Sequence, residues 1–144
     1  MAIATVSPTT GVIEREFAPI NAEEVERRLA RAADAVIELR AATLAQRAKW
    51  MRATAALLES ERNTVAPRLT IEMGKPIAQA RAEVLESAKG LHYFADHAES
   101  FLADELLANP ETVGPSRAWT RYEPLGVLLA VVPWNYPLRQ VIRF

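Results

Sequence analysis

One short stretch of this chain has the residue types and the placement to do chemistry. Pro133-Trp-Asn-Tyr-Pro137 closes residues 127–132, Val-Leu-Leu-Ala-Val-Val, a run that is apolar at every position. Such a run suits a strand covered on both faces, as in a parallel sheet. In an open α/β sheet, ligands bind beyond the carboxyl ends of the strands. Asn135 therefore stands where a fixed side-chain amide donates hydrogen bonds to a developing oxyanion. The same Asn, just before a helix that Pro137 would open, also suits an N-cap. On position alone the cap is the commoner use.

Other candidates carry less. His92 and His97 are five residues apart, whereas two ligands on one helical face need four, so both are read as helix-surface residues and no metal site is expected. Glu72-Met-Gly-Lys75 lacks the repeated glycines of a phosphate loop. Trp50, Tyr93 and Phe94 are read as core residues. The chain contains no Cys, which excludes thiol catalysis, disulfides and Cys-ligated zinc within it. With 17 basic against 18 acidic residues, it also lacks the electrostatic footprint of a nucleic-acid binder. Its apolar run is far shorter than the ~20 residues of a membrane span. The first residues lack the cationic and apolar segments of a signal peptide, so a cytoplasmic protein is expected.

The elements that must position this stretch are mostly helical. Ser7-Pro-Thr-Thr-Gly11 is a cluster of turn formers between short strands. Asn21 with Glu24 forms a capping-box pattern, and Val25, Leu29, Ala32, Ala33 and Val36 follow as one apolar face. Thr43 with Gln46 repeats the signal ahead of the stripe Leu44, Ala48, Met51, Ala55 and Leu58. A third helix spans about 63–73 and ends at Gly74, suited to a left-handed cap. Pro76 opens a long fourth helix, with Gly90 as its one internal breaker before Asn109-Pro110. Gly114-Pro115 then reads as a turn. Residues 117–123 alternate polar and apolar as a half-exposed strand does, before the buried strand 127–132. The Arg/Glu runs of the first helices are solvated faces with i,i+4 pairs.

Arg121-Tyr-Glu-Pro-Leu-Gly-Val-Leu-Leu-Ala-Val-Val-Pro-Trp-Asn-Tyr-Pro137 resembles the segment leading into the catalytic centre of the NAD(P)-dependent aldehyde dehydrogenase superfamily. Ser7–Gly11, Gln46-Arg-Ala-Lys-Trp50, Thr70-Ile-Glu-Met-Gly-Lys-Pro76, Glu83 and Lys89-Gly-Leu-His-Tyr-Phe-Ala95 agree with it in order and spacing. The resemblance covers essentially the whole chain, and within the superfamily it is to bacterial succinate-semialdehyde dehydrogenases of NADP-preferring type. It implies a truncated α/β fold in three parts. Residues 1–112 would be the N-terminal helical part of the cofactor-binding domain, 113–125 an oligomerisation hairpin, and 126–144 the start of the dinucleotide-binding core with its first strand.

The resemblance also implies roles. Asn135 matches the oxyanion-hole amide for the thiohemiacetal and acyl intermediates. Val132, Pro133 and Trp134 match a segment lining the NADP or NAD cofactor. Tyr136 matches an aromatic of the aldehyde tunnel. Arg143 falls where semialdehyde enzymes hold the substrate carboxylate, a task its bidentate fork suits; a surface Arg is the other reading. The family's nucleophilic Cys, Glu base, ribose-binding Lys and pyrophosphate turn have no match here. The resemblance thus implies about the first third of a homo-oligomeric enzyme that oxidises a small aldehyde. By themselves these residues are expected to be inactive and marginally folded. The alternatives are a non-catalytic helical and hairpin module pairing with full-length subunits, or an inactive remnant.

Overall fold

The computed structural model describes residues 3–109, 112, 114 and 117–144. It is a helix-rich α/β arrangement. Strands β1 (Ile3–Val6) and β2 (Ile13–Phe17) pair antiparallel, with an irregularity between Thr5 and Val6. The turn between them is closed by Ser7 N donating to Val12 O (2.9 Å) and Gly11 N to Ser7 O (2.8 Å). Four helices follow: α1 (Ala22–Ala41), α2 (Leu44–Ser60), α3 (Arg62–Met73) and α4 (Ile77–Phe101).

The start signals work with one amendment. Thr43 and Gln46 form the complete reciprocal box at α2. At α1 only half of it forms: Asn21 accepts from Glu24 N at 2.8 Å, but the Glu24 carboxylate turns away to Arg27 and Arg28. A charged partner one turn on outbids the neutral amide of Asn21. Pro76 is the N-cap of α4 rather than its first helical residue.

Helix α4 is the hub, with α2, α3 and the short terminal helix α5 (Pro137–Arg143) all packed on it. Ala55, Ala88 and Leu91 form one buried cluster, against which Met51, Leu58 and Ile142 pack. Ala66, Ala80 and Val84 form a second, covered by Leu58, Val65, Leu69 and Leu138. The α2 stripe expected from periodicity is the one that faces this core. Small side chains let the helix axes approach closely, and Leu138 and Ile142, one turn apart, seat α5.

Elsewhere the expectations need correction. No residue of α1 is buried, and its apolar face lies open, Leu29 at 52% exposure. Trp50, Tyr93 and Phe94 are not core residues; the α2–α4 interface is too close for rings, and Tyr93 instead stacks on His97 along the outside of α4. The half-exposed strand shrinks to β4 (Trp119–Thr120), whose one partner among the described residues is the two-residue β3 (Glu105–Leu106). That partner was not legible as a strand, since nothing marks the end of α4 at Phe101. Val113 and Pro115, part of the expected hairpin and turn, lie outside the described residues. Residues 127–132 form no strand at all, and Leu129 and Val131 are about nine-tenths exposed. A strand buried on both faces needs neighbours on both edges, and among the described residues none reaches it.

Gly74 ends α3 at φ 76°, its N–H bonded to Thr70 O at 2.9 Å. A Cβ there would stand 3.0 Å from Pro8 Cγ, so this turn also seats the β1–β2 hairpin. Gly74→Ala is expected to destabilise the chain by about 1–2 kcal/mol through the left-handed backbone, with the Pro8 contact adding to it. Urea unfolding measures the loss; an unchanged midpoint would contradict the geometry.

Candidate functional site

The left-handed turn at Gly74 directs Lys75 into the gap between the start of α4 and the stretch that precedes α5. Lys75 is only 5% exposed. Glu83 stands on the face of α4 that also carries Ala80, Val84 and Ser87, and is 4% exposed. The Lys75 ammonium donates to Glu83 Oε2 and to the carbonyl of Asn135 at 2.7 Å. It also lies 3.8 Å from the centroid of the Tyr136 ring. The other carboxylate oxygen, Glu83 Oε1, accepts from the backbone N–H groups of Leu138 (3.1 Å) and Arg139 (3.2 Å). A buried ion pair is tolerable only when its remaining lone pairs and protons are satisfied, and this one meets that condition.

This arrangement decides how α5 begins. Its N-cap is Tyr136, whose side chain makes no capping bond, and Pro137 occupies the first helical position as expected. The two donors that a local cap would satisfy are taken by Glu83, from another helix. Asn135 is therefore not the cap. Its carbonyl is held, while its exposed side-chain amide has no hydrogen-bond partner among the described residues.

The remaining sequence candidates are placed around it. Val132 is half-buried, Pro133 is exposed, and Trp134 is 74% exposed, so the three present apolar surface leading into Asn135. Tyr136 is about half exposed, beneath the Lys75 ammonium. Arg143 is not brought against Asn135. It lies six residues along α5 from Pro137, about 9 Å at helical rise. There it lines an open groove of about 540 Å³ between α4 and α5, with Lys89, Tyr93, Phe94, Arg139 and Ile142. Three cations face one carboxylate in this groove, Glu86. The hydrogen bond and charge of Lys89 hold Glu86 below the usual carboxylate range, burial opposes them weakly, and Arg139 adds to the lowering.

His92 lies 3.6 Å from Glu59 and the His97 ring nitrogen Nδ1 meets Tyr93 O at 2.8 Å, both on the outside of α4. Among the described residues no three His, Asp or Glu side chains gather as metal ligands, and no helix is long and apolar enough to cross a membrane.

Sequence reasoning treated Lys75 as part of a failed phosphate loop and Glu83 only as a point of resemblance. A signal for the pair was present. Glu83 falls on the stripe that carries the apolar residues Ala80, Val84 and Leu91, and a carboxylate there demands a buried partner.

The chain matches the profile of the Aldehyde dehydrogenase family over residues 1–143. It is 50% identical, over 145 aligned residues, to a succinate-semialdehyde dehydrogenase [NADP(+)] of Mycobacterium avium, covering 100% of this chain and 30% of that protein. The crystal structure of succinic semialdehyde dehydrogenase from Streptococcus pyogenes with NADP+ superposes at a TM-score of 0.90 and 29% identity, over 99% of this chain and 30% of that one. The NADP-dependent glyceraldehyde-3-phosphate dehydrogenase of Bacillus halodurans complexed with NADP superposes at 0.86 and 30% identity, over 99% of this chain and 30% of that one. The chain thus spans about 30% of the length of the relatives it matches.

The two site residues should separate in stability. Glu83→Ala strands the Lys75 ammonium in the interior and is expected to cost about 3–5 kcal/mol. Asn135→Ala removes an unpartnered surface amide and should cost less than about 0.5 kcal/mol. Urea denaturation of both variants checks this, and equal losses would restore Asn135 as the cap.

Proposed function

The chain belongs to the aldehyde dehydrogenase family, and from that premise we propose that it is the N-terminal portion of an enzyme that oxidises succinic semialdehyde to succinate with NADP. The observation that carries this reading is the free side-chain amide of Asn135, exposed on a stretch whose carbonyl and following turn are pinned. A pre-oriented donor of this kind stabilises the negative charge that develops on an aldehyde oxygen when its carbon is attacked. The substrate and cofactor come from the relatives: the M. avium protein is a succinate-semialdehyde dehydrogenase [NADP(+)], and the S. pyogenes enzyme was crystallised with NADP+.

The residues present fit one wall of a nicotinamide cofactor. Val132, Pro133 and Trp134 offer contiguous apolar surface beside the amide of Asn135. When bound, NADP supplies the hydride acceptor. In this reading Tyr136 lines the path of the aldehyde and Arg143 grips its distal carboxylate, supported by the excess of cations in the α4–α5 groove. The active enzyme is proposed to be cytoplasmic and homo-oligomeric. None of these 144 residues is Cys, so the attacking thiol belongs to other residues of that enzyme.

A second reading has its own support. Leu125, Leu129 and Val131 are 88%, 92% and 90% exposed, an uncovered apolar run whose backbone is free to add to another chain's sheet. As a non-catalytic module, the chain would pair with full-length dehydrogenase subunits. Co-purification with such a subunit in place of any activity of its own would favour this over the first reading.

Kinetics test the first reading. In the full-length enzyme, Asn135→Ala is expected to lower kcat by about 10²–10³-fold, the scale for losing one oxyanion donor, with KM for NADP unchanged. Arg143→Ala should raise KM for succinic semialdehyde by roughly ten- to a hundredfold, the scale of a lost charge-assisted hydrogen bond, and leave butanal unaffected. The 144-residue polypeptide by itself should leave NADP unreduced. A catalytically normal Asn135→Ala enzyme would sink the assignment.

A further inference from the structure

Lys75 and Glu83 form the most deeply buried charged pair described in the structure, and the reaction as described makes no use of either. Their contacts converge on the five residues 135–139. Lys75 Nζ holds the Asn135 carbonyl at 2.7 Å and packs over the Tyr136 ring at 3.8 Å. Glu83 holds the amides of Leu138 and Arg139. Upstream the restraints are exposed ones, Arg121 on Asp104 and Arg40 on the Pro124 carbonyl (3.1 Å), while residues 121–133 are in no regular element and Leu129 and Val131 are almost fully exposed.

We propose that Lys75 and Glu83 are positioning residues for Asn135: the buried pair fixes the backbone on its carboxyl side and so sets where its side-chain amide points. This rests on the reading of Asn135 as the oxyanion donor. Neither residue touches substrate. The pair acts through the peptide unit of residues 135–136, whose carbonyl has one permitted direction while Lys75 is charged and paired. Fixing that carbonyl restricts ψ of Asn135, and an oxyanion donor is effective only if oriented before charge develops. The ammonium can hold the carbonyl in the interior only because Glu83 neutralises it, and Glu83 is itself aligned by the first turn of α5. The four contacts therefore form one unit rather than four separate anchors.

Two measurements test the unit. In the full-length enzyme, Glu83→Asp keeps a charge for Lys75 but draws the carboxylate back from the amides of α5. It is expected to lower kcat by about tenfold with KM for NADP within about twofold, as for an interaction realised only in the transition state. In an Asn135→Ala background the same substitution should change kcat by less than about twofold, because residues acting through one group are non-additive. Full additivity, or a loss confined to KM, would overturn the proposal. Should Glu83→Asp fail to fold, Lys75→Met/Glu83→Leu replaces the pair by apolar groups, a swap that often preserves stability; undiminished kcat in that enzyme would overturn it equally.

The second measurement is independent of activity. In the full-length enzyme, the amides of Leu138 and Arg139 lie in the first turn of a helix and would ordinarily exchange freely. Held by Glu83, they should exchange at least about tenfold more slowly than unstructured amides, and Glu83→Asp should erase that protection. Free exchange in the wild-type enzyme would overturn the clamp itself. Protected amides in an enzyme inert towards aldehydes would instead reject the oxyanion reading of Asn135, and with it the positioning role.

Discussion

An ammonium and a carboxylate withdrawn from water each lose several kcal/mol of hydration, and a protein keeps such a pair only where the surroundings return that loss. Lys75 and Glu83 meet the condition with unusual completeness. The ammonium has a carboxylate, a carbonyl and an aromatic face; the carboxylate has the ammonium and two backbone amides. Three elements meet there: the left-handed end of α3, the start of α4 and the first turn of α5. Without the pair, α5 would rest on α4 mainly through Leu138 and Ile142. Apolar contacts of that kind bring helices together but tolerate sliding. Directional bonds from Glu83 fix the register.

That dependence is sharpened by how little large apolar surface this part of the molecule buries. The fully buried positions are mainly alanines, Ala55, Ala66, Ala80 and Ala88, with Val84 the one larger apolar side chain among them. Close helix packing follows, but each contact removes little area from water, and burial scales with area. Meanwhile Leu29 and Ile37 of α1, and the run from Leu125 to Val131, stay open. The helices around α4 form a small packed unit, whereas α1 and the 125–131 run leave large apolar side chains exposed. A chain spanning about 30% of its relatives' length is consistent with such faces.

What was legible in the sequence was local. The caps at Thr43 and Gly74, the proline opening α5, and the periodic stripe of α2 are each determined within a few residues. Stripe and burial disagree where little covers a face: Val25 and Leu29 have helical spacing yet stay exposed, because spacing cannot say whether another element arrives. The 127–132 run failed for the same reason, since β-structure is completed by neighbours and not by composition. Aromatics misled in the opposite direction. Trp50 and Tyr93 look like core by type, but a core built from alanines leaves no room for rings. At the site, position and resemblance single out Asn135 and its neighbours as candidates. The pair that holds them was not legible, because an ion pair between residues 75 and 83 that reaches residue 135 is a tertiary fact. Only the misplaced charge of Glu83 on an apolar stripe hinted at it.

The fate of the cap at α5 bears most directly on function. An Asn in the N-cap position would accept from the first turn and contribute about 1 kcal/mol of stability, but the N-cap of α5 is Tyr136, whose side chain makes no capping bond, and Asn135 stands one residue before it. The amides of Leu138 and Arg139 go to a carboxylate delivered from α4, which requires burying a charge and its counter-ion, a far more demanding solution to the same problem. With Tyr136 at the N-cap, no local side-chain oxygen caps the first turn, and Glu83 supplies one from α4. Capping from α4 does both at once: it satisfies the helix and leaves the donor free, with its peptide unit held by the same ion pair. On the proposed reading of Asn135 as an oxyanion donor, the buried pair therefore serves the site as well as the fold.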